Sequence, residues 1–272
     1  MGRRIGMIVL AFVVVSGIFG AAASTAGAAG PVLVAGVATP DAKGAWAAWS
    51  DGYVSFHGTA RFFGGEFGAR LNAPITGIAT TPTGKGYWLV AADGGIFSFG
   101  DAKFYGSTGS MRLNKPVFAM APTKDGRGYW LVASDGGIFS FGDAKFHGSL
   151  GSLRLAQPIV GITTTLSGNG YRMVARDGGI FDFGDAKFYG SLGGHGLSDV
   201  VSMAPTPSGR GYWIVRKGGQ LYHFGDAAAF AGTAPPATDP VTCLIFDPVV
   251  QALQIVQASG RFEQRGPHFA GF

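Results

Sequence analysis

Disulfide chemistry is all but missing from this chain, which holds one cysteine, Cys243, in 272 residues. No intramolecular disulfide can form, so packing and hydrogen bonds must hold the fold. Charge is scarce as well: 14% of the residues are charged and the net charge is +5. So mild a basic balance predicts no nucleic-acid partner. Paired-Cys, HExxH and calcium-loop spacings are missing. So are a Gly-x-Ser-x-Gly elbow and a glycine-rich loop carrying the Lys and following helix that phosphate binding needs. A ring of ligating or catalytic histidines would occupy equivalent places along the chain. Instead, of His57, His147, His195, His223 and His268, the first aligns with Phe99, the second with Tyr105 and the fourth with Ser98. The sequence therefore predicts no metal, no cofactor and no enzyme.

What the chain has in abundance is glycine, 47 residues, and aromatic side chains, 13%. Low charge with many aromatics excludes a disordered chain, and glycine spread throughout predicts many tight reversals. Residues 1–30 differ from the rest. Arg3 and Arg4 precede an uncharged apolar run, Ile5 to Phe19, followed by small residues. That is the layout of a secretory signal, with cleavage sites after Ala23, Ala26 or Ala28. The alternative is a retained anchor, since Ile5 to Ala23 is just long enough to span a bilayer. Secretion, with envelope association as a variant, is the expected location.

Self-similarity decides the fold class. GYWLVAADGGIFSFGDAKFYGS begins at Gly86, and near-identical copies begin at Gly128 and Gly170. A looser copy begins at Gly211. Trp46, Trp88 and Trp130 are 42 residues apart, as are Asp51, Asp93, Asp135 and Asp177. Degenerate copies at each end complete six units, at about 33–74, 75–116, 117–158, 159–199, 200–240 and 241–272. They use up residues 31–272 and leave room for no second domain.

Each unit reads as four short runs separated by turns. In the third they are Val117–Pro122, Gly128–Ser134, Gly137–Phe141 and Lys145–Gly148. Asp-Gly-Gly joins the second and third runs and predicts a type I′ hairpin. Tyr129-Trp130-Leu131-Val132-Ala133 is apolar on both faces, which a sandwich strand with one wet face would not be. Blades packed on both sides by neighbours require it. The expected fold is an all-β, six-bladed β-propeller with four-stranded blades of about 42 residues, monomeric.

The unit GYW-x3-DGG-x-F-x-FGDA-x-F-x-GS resembles the repeats of exported actinobacterial propeller proteins, closely over 75–232 and poorly at the ends. The resemblance implies fold and compartment and no assigned chemistry. The tryptophan column, with Arg172 replacing it in the fourth unit, is read as inter-blade packing. The charged columns are the candidate binding surface. Lys43, Lys85, Arg127 and Arg210 recur in the loop between the first two strands, expected at the mouth of the axial channel. Arg61, Lys103, Lys145 and Lys187 lie on the same face with Asp101, Asp143, Asp185 and Asp226. The opposite face carries Asp51, Asp93, Asp135 and Asp177 with Arg70, Arg112 and Arg154. Two readings stand: ordinary solvated turns, or a basic ring that meets an anionic polymer. The predicted function is a non-catalytic binding or adhesion module for a cell-surface polysaccharide or anionic wall polymer. The alternative is a scaffold for another extracellular protein, with a propeller hydrolase or lyase behind it. A membrane enters only if the leader is retained.

Overall fold

The computed structural model describes residues 13–15, 30–230, 238–247 and 252–265. Most of the predicted leader lies outside them, as do the Phe269-Ala270-Gly271 ending of the sixth unit and His268. The described chain is all-β, and its strands form six antiparallel sheets, one per sequence repeat. In blade one the inner, middle and outer strands are Leu33–Ala38, Gly44–Trp49 and Val54–Gly58. In blade two they are Ile75–Thr80, Gly86–Ala91 and Ile96–Gly100. Blade three has Val117–Pro122, Gly128–Ala133 and Ile138–Gly142. Blade four has Ile159–Thr164, Gly170–Ala175 and Ile180–Gly184. Blade five has Val200–Pro205, Gly211–Arg216 and Leu221–Gly225. Blade six has Val241–Asp247, Ala252–Gln257 and Phe262–Arg265.

Inner strands of consecutive blades touch, and the inner strand of blade six touches that of blade one. The ring is closed, without an exchanged strand among the described residues. Closure rests on apolar packing: Cys243, Leu244 and Ile245 of blade six share a core with Leu33, Ala45 and Ala47 of blade one. Burial pushes the Cys243 thiol up to about 12, so this cysteine is a packing residue. Val13–Val15, from the predicted leader, pairs antiparallel with the inner strand of blade four. It touches the inner strands of all six blades and so lies along the axis of the ring.

The inner and middle strands of blades two and three are buried at every position, as strands packed on both faces must be. The outer strands are half-buried. The expected fourth strand does not form: each blade has three strands of its own among the described residues. The reason lies in the glycines that bracket the run. Gly142 at φ +65° turns the chain off the outer strand, and Gly148 at φ +134° bends it again. The run between them crosses to the next blade as an irregular connector.

The hairpin prediction needs correction too. The Ala91 carbonyl accepts the Gly94 N–H, and of Asp93 and Gly94 only the glycine has positive φ, +77°. A type I turn followed by a left-handed glycine produces this pattern; a type I′ turn would also need positive φ at the aspartate. Asp93 instead accepts the Gly95 N–H at 2.9 Å, closing its own turn.

Candidate functional site

The wedge between two blades is built the same way at the three junctions that follow blades one, two and three. Trp88 and Trp130 are buried in the middle strands, and their indole N–H groups donate to the Lys103 and Lys145 carbonyls of the connectors, at 2.8 and 2.7 Å. The ring faces the tyrosine of the next blade, as Trp130 faces Tyr171 at 5.7 Å. That tyrosine clasps the connector from the other side. The Tyr129 hydroxyl donates to the Gly106 carbonyl at 2.6 Å and accepts the Tyr105 N–H at 3.1 Å. Tyr87, Tyr171 and Tyr212 repeat the arrangement on Gly64, Gly148 and Gly190. The tryptophan column is therefore interior and offers no platform to a ligand.

Lys43, Lys85, Arg127 and Arg210 are all exposed, each one residue before a middle strand. Their backbone carbonyls accept N–H groups from the outer turns, those of Thr59, Asp101, Asp143 and Asp226. That contact ties the backbone at each cation to the outer turn of its own blade. Arg127 pairs with Asp125 at 2.9 Å, and Arg210 lies 3.7 Å from Asp226. The aspartates of the outer turns serve the loops. Asp101 accepts the Thr81 and Thr83 hydroxyls, and Asp226 those of Thr206 and Ser208. At Asp185 burial pushes the carboxyl up, but the Ser167 and Thr165 hydroxyls outweigh it and hold the group below the usual carboxylate range.

A second column on this face was not singled out from the sequence. Phe62, Phe104, Phe146 and Phe188 recur 42 residues apart and are 53%, 61%, 62% and 61% exposed. Each directly follows an exposed cation, Arg61, Lys103, Lys145 or Lys187. Four large apolar rings left in water at one repeat position are a patterned surface, unlike scattered single exposures. Blade five breaks the column with Ala229.

On the opposite face Asp51, Asp93, Asp135 and Asp177 each accept an N–H two residues ahead, so that column serves its turns. The described histidines are not brought together: His57 and His223 lie in outer strands of different blades, and His147 and His195 in connectors. Among the described residues no three His, Cys, Asp or Glu side chains are grouped to hold a metal.

The fold and this surface define a β-propeller. The crystal structure of the C-terminal WD40 domain of Sif2 is similar to it, with a TM-score of 0.51 over 90% of this chain and 84% of that one. The two sequences are 9% identical, so the likeness is one of architecture. No family model matches the sequence, and no curated protein matches it.

Proposed function

We propose that this propeller is an exported, non-catalytic binding module whose outer-turn face holds an anionic cell-envelope glycan or wall polymer. The observation that carries the reading is the pairing of an exposed cation with an exposed phenylalanine in four consecutive blades. Lys43, Lys85, Arg127 and Arg210 add a second cation on the same face of four blades. A phenyl ring gives the apolar face of a sugar a place to lie, and the neighbouring cation meets its acidic group. Repetition around the ring suits a polymer, whose units bind several weak sites at once and gain affinity through effective concentration. Export follows from the arginine-led apolar leader and from the resemblance of the repeats to exported actinobacterial propellers.

The test is binding of a teichoic-acid-like polyanion at low salt and at about 0.15 M, where charges are screened beyond about 8 Å. Binding should weaken steeply with salt, and a variant with alanine at Lys43, Lys85, Arg127 and Arg210 should bind at least tenfold more weakly. Salt-indifferent binding, or full binding by that variant, would remove the reading. No binding to any polyanion or glycan would leave the protein-scaffold alternative.

A further inference from the structure

The fourth blade departs from the repeat at two facing positions. Arg172 stands where Trp88 and Trp130 stand in their blades, and Asp182 replaces the serine at Ser98 and Ser140. The two are direct cross-strand partners, and the Arg172 Nε donates to Asp182 Oδ1 at 2.6 Å. Arg172 Nη2 donates to the Lys187 carbonyl, the bond that the tryptophan N–H makes elsewhere. The guanidinium lies 4.3 Å from the centre of the Tyr212 ring of the next blade, again in the manner of the indole it replaces. A guanidinium is smaller than an indole, and here the wedge is not filled. A pocket of about 220 Å³ opens between blades four and five.

Arg172 forms part of the pocket wall with its side chain only 7% exposed. Two of its nitrogens are committed, which leaves Nη1 to donate. Lys187 and Arg210 line the same pocket, with the hydroxyl-bearing Thr164 and Tyr189. Among the described residues Asp185 is the one carboxylate in the wall, and the Thr165 and Ser167 hydroxyls already occupy it. Three cations thus face one engaged carboxylate in the wall. From outside it Asp182 offsets Arg172, and Asp226, 3.7 Å away, partly offsets Arg210, which leaves Lys187 without a carboxylate of its own in the wall. In a repeat where indole packing was available, a buried ion pair is a costly substitute, and its retention fits a binding role.

We infer that the wedge between blades four and five is a binding pocket for a small oxyanion, the carboxylate of an acidic sugar or a phosphate group. This goes beyond the polymer-binding surface, with which the pocket shares Lys187 and Arg210, and it adds the buried Arg172. The pocket takes one group at one blade junction, whereas the cation and phenylalanine columns each repeat in four blades.

The full chain, labelled with ¹⁵N, is titrated with methyl glucuronide, inorganic phosphate and methyl glucoside. Saturable shifts are expected at amides of residues 163–167, 172, 186–189 and 208–210 with at least one anion, with Kd on the order of 1 mM. The anion that binds identifies the source of the oxyanion. The neutral glucoside should bind at least tenfold more weakly. The double variant R172W/D182S restores the residues of blades two and three at these two positions, keeps every surface cation and phenylalanine, and should lose the shifts while still binding the polyanion. The single variant K187A leaves the core untouched and should weaken binding several-fold. No shifts with either anion, equal shifts with glucoside, or undiminished shifts in both variants would overturn the assignment.

Discussion

Removing one oxygen from Tyr129 tests the inter-blade clasp with no change in packing. In Tyr129→Phe the ring stays in its buried slot, but the Gly106 carbonyl loses its donor and the Tyr105 N–H its acceptor. Leaving buried polar groups unpaired costs about 1–3 kcal/mol. For a domain of this size each kcal/mol shifts Tm by about 2–4 °C, so a fall of roughly 2–12 °C is expected. The control is Tyr53→Phe, at an exposed tyrosine, which should change stability by less than about 0.5 kcal/mol. The alkaline limb gives a second readout. Burial raises the Tyr129 hydroxyl above its ordinary value of 10.0, against the lowering effect of its two backbone hydrogen bonds. A raised folded value means that the group's stability is complete below the unfolded value and is lost as pH rises through the folded one. Tyr129→Phe should therefore flatten the loss of stability above about pH 10. Thermal melts by circular dichroism from pH 7 to 11 measure both effects. Equal Tm values and superimposable alkaline limbs would refute the clasp as a source of stability.

Other perturbations bear on the same architecture. Trp130→Ala should cost about 3–5 kcal/mol in denaturant melts, as the loss of a large core aromatic does, whereas a ligand platform would lose binding and keep its stability. Gly148→Ala places a Cβ 2.4 Å from Phe183 Cδ1 at a φ of +134°; crowding and backbone strain of about 1–3 kcal/mol each should show in the melting temperature. Deleting Val241–Phe272 removes the blade that closes the ring and should give aggregation on size exclusion, while a soluble, cooperatively folding product would contradict closure through blade six. Cys243 should resist thiol reagents at pH 8 until the protein unfolds, because its thiol is buried and pushed up to about 12.

The ring and its blade count were legible because inner and middle strands obey a local rule: Tyr-Trp-Leu-Val must be apolar on both faces, and the 42-residue spacing repeats it. The outer part of each unit was harder to read. Lys145–Gly148 has the length and apolar content of a strand, but two left-handed glycines divert it, and whether a short run pairs depends on where its ends are aimed. That error hid the phenylalanine column. As part of a fourth strand Phe146 was not singled out; in the irregular connector it is 62% exposed. Arg172 stood out from the sequence, but its partner Asp182 did not. They are ten residues apart, and only the hairpin register places them opposite each other. The cations were legible as surface residues, but the backbone hydrogen bonds that tie each one to the outer turn of its blade follow from strand register, which no composition argument reveals.

The most direct test of the proposed surface is a binding titration of the anionic polymer against a variant carrying alanine at Phe62, Phe104, Phe146 and Phe188. These side chains are exposed, so the variant should melt close to the parent temperature. The account predicts an affinity loss of at least tenfold, at salt where the cations alone hold the polymer weakly. Unchanged affinity in a variant of unchanged stability would contradict it.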